Sequence, residues 1–169
     1  MRHLTAIVTL CGALFFSAPA FAGGIAVVDF QEAINQVSEG ETARQQIDTL
    51  YQQKQAAIAN LEAEIQTKMD EYQKQQLILS DAARQQKEQE LMQLQQTYQQ
   101  AGMQAEMEMQ ELYTQKMETL ITKMRGVTEQ IGAEKGYDLV LEATESGVVF
   151  TGSNVTDITD ELIKRYESN

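Results

Sequence analysis

The chain has no Trp, one Pro and one Cys, and aromatic residues fill only 7% of its 169 positions although 43% are hydrophobic. Aromatic side chains supply much of the buried area of ordinary cores. The length fits about one domain on a prior of one per ~150 residues, but this composition is unusual for one compact globule. Basic charge is scarce too: 13 Lys and Arg stand against 25 Asp and Glu, a formal charge of -12. Affinity for nucleic acid comes largely from Lys and Arg displacing counterions from phosphate. Nucleic acid is therefore not an expected partner.

The single Cys (Cys11), His (His3) and Pro (Pro19) all fall within the first 22 residues. There Met1-Arg2-His3, the apolar run Leu4 to Phe16 and Ala20-Phe21-Ala22 form the pattern of a secretory signal peptide. Cleavage is expected between Ala22 and Gly23. The run is too short for a membrane span of ~20 residues. A lipid anchor on Cys11 is disfavoured, because Leu10 stands where such a site needs a small residue and apolar residues continue past the Cys. Processing leaves no thiolate, no imidazole, no disulfide and no ordinary zinc site. Nothing in the remainder matches a phosphate-binding Gly-rich loop, so neither a cofactor nor an enzyme is expected. With Arg2 gone, 12 basic side chains face 25 acidic ones, a charge of -13.

The mature chain divides into three parts by pattern. Residues 24–30 are a short β-branched run that reads as a strand. From about Gln31 to Lys135, Gly occurs only at 40, 102, 126 and 132, and Gln, Glu, Ala, Leu and Met dominate, which reads as helix. The end returns to strand: residues 137–143 alternate, Glu145-Ser146-Gly147 makes a turn, and Val148-Val149-Phe150 follows. A last helix is predicted from about Asp157, its N-cap, to Tyr166.

A helix of over a hundred residues would reach ~150 Å at 1.5 Å per residue, so the middle must fold back. Ser80 or Asp81 can cap a new helix, which predicts an antiparallel hairpin with arms over about 41–79 and 81–135. The outgoing seam runs Ile47, Leu50, Lys54, Ile58, Leu61, Ile65, Met69, Tyr72, Gln76, Leu79. The returning arm answers with Leu91, Leu94, Tyr98, Ala101, Ala105, Met109, Leu112, Leu120, Met124, Val127 and Ile131. Polar interruptions make the buried stripe narrow, and the pair is expected to be stiffest near its base.

About twenty β residues cannot close a sheet within one chain, and an isolated hairpin is marginal in water. Open edges and the apolar face of Ile25, Val27, Leu139, Leu141 and Val149 most easily recruit the same surface of other copies. The expected architecture is α+β: a signal peptide over 1–22, a small β-rich oligomerisation body from 23–38 and 136–169 with a C-terminal helix, and a helical-hairpin arm over 39–135 with its bend near 79–82.

These residues resemble the OmpH/Skp family of periplasmic chaperones. The likeness spans the mature chain: Ile25-Ala26-Val27-Val28-Asp29-Phe30 after the signal, Leu79-Ser80-Asp81-Ala82-Ala83-Arg84 at the bend, Tyr137-Asp138-Leu139-Val140-Leu141, and the ending from Asp157 to Lys164. The resemblance implies a homotrimer with a barrel-like body and three arms around a cavity. It further implies that the cavity holds unfolded outer-membrane proteins in the periplasm, and with no phosphate-binding loop in the sequence this is expected to proceed without ATP. The family's familiar members are strongly basic, whereas this chain is acidic. No lipopolysaccharide-binding residues carry over, and anionic lipid stays an open partner class.

Charge is uneven along the arm. Residues 68–87 hold Lys68, Lys74, Arg84 and Lys87 against Asp70, Glu71 and Asp81, whereas 88–118 hold six Glu and one Lys. Clients are expected to meet the tip and adaptable apolar side chains, with Tyr72, Leu77, Ile78, Met103, Met107 and Met109 as contact candidates. Weak dependence on salt is expected for an unfolded porin. A coiled-coil spacer of the envelope is the alternative reading, and it would not suppress aggregation of a denatured porin. Efflux adaptors also carry a helical hairpin, but embed it in further domains absent here.

Overall fold

Asp29 ties the body together. It ends β1 (Gly24–Val28) and caps α1 (Phe30–Gln36), its carboxylate accepting from Glu32 N–H at 2.8 Å. Its own N–H donates to the Thr159 hydroxyl at 3.0 Å, and that hydroxyl donates to Asp157 at 2.6 Å. One polar chain thus joins the starts of the first and last helices. The structure, a computed structural model, describes residues 23–144 and 147–168. The signal segment up to Ala22, with Cys11, and Glu145-Ser146 of the expected turn lie outside the described residues.

α2 (Ser38–Gln75) follows α1 directly. Val37 before it has no capping side chain, so Glu167 from the C-terminal helix takes that role, accepting from Ser38 N–H at 2.6 Å. At the far end Ser80 caps α3 (Asp81–Lys135), its hydroxyl accepting from Ala83 N–H at 3.3 Å. α3 stops where Gly136 takes a left-handed φ of 70° and its N–H bonds the Gly132 carbonyl. β2 (Tyr137–Glu142), β3 (Val155–Asp157) and α4 (Thr159–Ser168) complete the chain.

The sheet has the order β2-β1-β3, all parallel, with Ile25 opposite Leu139 and Val155, and Val27 opposite Leu141 and Asp157. Ala26 and Val28 face the helices, where they pack with Ala33, Ile34 and Val37, with Leu120, Met124 and Ile131 of α3, and with Ile158 and Leu162. Burial fades quickly outward: between residues 44 and 119 only Ala105 is buried. α3, at 55 residues, spans roughly 80 Å.

Four expectations are corrected. The second C-terminal strand is Val155–Asp157, not 148–150. Pairing parallel to β1 on the edge away from β2 needs a crossover of a dozen or more residues, and the chain from 143 to 154 serves as that crossover, leaving Val149 and Phe150 exposed. The last helix begins at Thr159, because Asp157 still belongs to β3 while its carboxylate accepts from Thr159 N–H at 2.9 Å. Gln76 is exposed and Gln75 takes its place on the seam, since α2 ends at Gln75. Val27 is only 8% exposed, because it sits on the central strand and is largely covered within one chain.

Candidate functional site

Two surfaces gather the residues singled out by sequence. The first is the sheet face turned away from the helices. Strand side chains alternate between faces, so with Ala26, Val28 and Val140 toward the core, Ile25, Leu139, Leu141 and Val155 share the other face. Ile25 is 43% and Leu139 46% exposed, side by side in register. Val149 stands apart from this face, in the crossover segment.

The second surface is the arm. Leu77 and Ile78 occupy the tip turn at 92% and 85% exposure, between Lys74 and the Arg84–Lys87 turn of α3. Tyr72 is half-buried and engaged across the seam: its hydroxyl donates to Glu88, which keeps the phenol protonated above its ordinary range. Lys68 and Glu90 bridge the same arms at 2.5 Å. Tyr72 therefore acts as a strut, with only part of its ring open.

Met103 and Met107 stand exposed on one face of α3, beside Gln110, Thr114 and three glutamates. Met109 does not join them. It is half-buried in a groove of about 460 Å³ between the arms, with Ile47, Tyr51, Ile58, Ala105 and Tyr113. Gly102 lines that groove, and a Cβ there would meet nothing within 4 Å. Lys54, an apparent flaw in the seam, reaches Glu108 at 2.5 Å across it. The Glu108 carboxyl is held below its ordinary value by Lys54 first and by Gln104 second. Tyr51 was not singled out by sequence; its only signal was its place between Ile47 and Lys54, beside the seam.

Hydrogen-bonded helices satisfy their own backbone groups, so the arms offer side chains rather than strand edges. Among the described residues no group of three or more His, Cys, Asp or Glu could hold a metal ion, and no helix is long and apolar enough to cross a membrane.

The sequence model of the family described as Outer membrane protein (OmpH-like) matches residues 24–166. The chain is 22% identical to the Chaperone protein Skp of Yersinia enterocolitica over 155 residues, covering 92% of this chain and 93% of the relative. It is also 22% identical to that of Photorhabdus luminescens, covering 87% and 93%. A solved structure described as an OmpH-like outer membrane chaperone from Caulobacter crescentus superposes with a TM-score of 0.77 at 14% identity, covering 89% of this chain and 87% of that one. That likeness shows the fold, a long helical hairpin rooted in a small sheet.

Proposed function

The chain belongs to the OmpH-like family, and from that premise we propose that it is a periplasmic, ATP-independent holdase that keeps unfolded outer-membrane proteins from aggregating before insertion. The observation that carries this reading is the combination of an open apolar sheet face at Ile25 and Leu139 with an arm that has almost no buried interior. Copies that join through the sheet face, three in the reading we favour, would set their arms around a shared space. Such a space offers a client many shallow contacts, none strong enough to prevent its leaving.

Unfolded barrel strands expose alternating apolar residues and unpaired edges, which associate readily. Helical arms cannot extend a client sheet, so they shield such segments without templating them. Release follows from the client's greater stability in the bilayer and needs no nucleotide. Export of the processed chain from Gly23 onward supplies the compartment where such clients pass.

The test is dilution of a urea-unfolded outer-membrane barrel into buffer with and without the processed protein, read by light scattering. The holdase reading expects scattering to fall with added protein and to vanish near one oligomer per client. Unchanged scattering would favour a structural spacer of the envelope instead.

A further inference from the structure

Met103, Met107, Gln110 and Thr114 follow one another along α3 at steps of four, three and four, the spacing that keeps side chains on one helix face. Glu106, Glu111 and Glu118 border the same stripe, and all of these residues are exposed. Met103 and Met107, 60% and 66% exposed, form a small apolar patch among these polar side chains.

The carboxylates are equally uncommitted. Glu106, Glu111 and Glu118 make no ion pair or hydrogen bond among the described residues, whereas Glu108 on the seam side is held by Lys54 at 2.5 Å and Glu90 by Lys68 at 2.5 Å. The one base of this stretch, Lys116, lies beside Glu39 on the seam side. Apolar, adaptable thioethers flanked by unpaired negative charge fit a partner that alternates apolar side chains with Lys or Arg.

We propose that this stripe docks extended client segments rich in basic and apolar residues, so that the arm selects cationic over acidic stretches of an unfolded chain. The proposal rests on the holdase reading and names the chemistry of the segments held. From 103 to 118 the helix rises ~22 Å, the span of about seven extended residues at ~3.3 Å each. An acidic porin stretch gains no long-range attraction here and would bind through its apolar side chains alone.

Two labelled, unstructured peptides test this with the whole processed protein. They share Leu and Val at alternate positions and carry either Lys or Glu between them. By fluorescence anisotropy, the Lys peptide should bind about tenfold more tightly at low salt, the summed effect of a few exposed charge pairs. The gap should close as the screening length shrinks from ~30 Å at 0.01 M to ~3 Å at 1 M salt. The exposed triple variant E106Q/E111Q/E118Q should lose the gap, and M103S/M107S should weaken both peptides alike. Equal affinities in the wild type, binding of neither peptide, or a gap that survives in the triple-Gln variant would each overturn the stripe. A protein that fails here but still suppresses barrel aggregation leaves the holdase reading standing; one that fails both loses both.

Discussion

Gly40 shows how much one residue decides at the root of the arm. It is buried where α2 leaves α1, and a Cβ there would lie 1.9 Å from the Ile34 carbonyl oxygen. That neighbour is backbone, so it cannot swing aside, and Gly40→Ala should destabilise by roughly 1–3 kcal/mol, the usual cost of overpacking. Gly126 offers the contrast: it is exposed, in mid-helix, with nothing within 4 Å of an added Cβ. Gly126→Ala should stabilise by about 0.5–1 kcal/mol. Urea midpoints followed by circular dichroism would separate the two, and equal shifts of one sign would contradict the packing described at Ile34. In the sequence these glycines look alike, as breaks in one helical pattern. Only the tertiary neighbour of Gly40 tells them apart, and that neighbour sits on α1, a helix of seven residues that the continuous pattern concealed.

At the scale of elements, α4 is fastened to the base of the arm by Glu39. Its carboxylate accepts from Lys123 Nζ at 2.6 Å and from the Tyr166 hydroxyl at 2.6 Å, so α2, α3 and α4 meet on one side chain. Lys123 first, then Tyr166, hold the Glu39 carboxyl below its ordinary 4.5. A lowered carboxyl stabilises the fold above its unfolded value and loses that contribution as pH falls through the folded one. Stability should therefore drop on acidification below about pH 4.5, and Glu39→Gln should flatten that part of the profile. Tyr166 has the opposite sign. Burial first, and Glu39 second, push its phenol above the ordinary 10, so stability should fall as pH rises beyond that value, and Tyr166→Phe should lessen the fall. Denaturation across both limbs checks this; identical profiles for wild type and Glu39→Gln would break the link. The hairpin itself was legible because capping and 3.6-residue periodicity are local: Ser80 caps as expected, and the seam positions other than Gln76 are at least half-buried. β3 was not legible. Val148-Val149-Phe150 has the stronger strand composition, yet Val155–Asp157 pairs with β1 because Ile158 and Leu162 anchor α4 in the core beside it.

For the whole molecule, the decisive question is what covers the sheet. In a single chain Ile25 and Leu139 remain nearly half exposed, so a carboxylate placed there would stay hydrated and cost the fold little. In an oligomer joined through this face, the same carboxylate would be taken out of water unpaired, which is costly. Ile25→Glu and Leu139→Glu should therefore leave helicity intact while reducing the sedimenting mass to that of one chain. Met103→Glu, on the arm, should leave the mass of the assembly unchanged. A wild type that already sediments as one chain would remove the shared space between arms. Loss of aggregation suppression in the Leu139→Glu monomer, with its arm still folded, would show that single arms do not suffice. The effect separates assembly from arm chemistry, because the apolar face lies on the sheet and the methionine stripe on α3, and each can be altered alone.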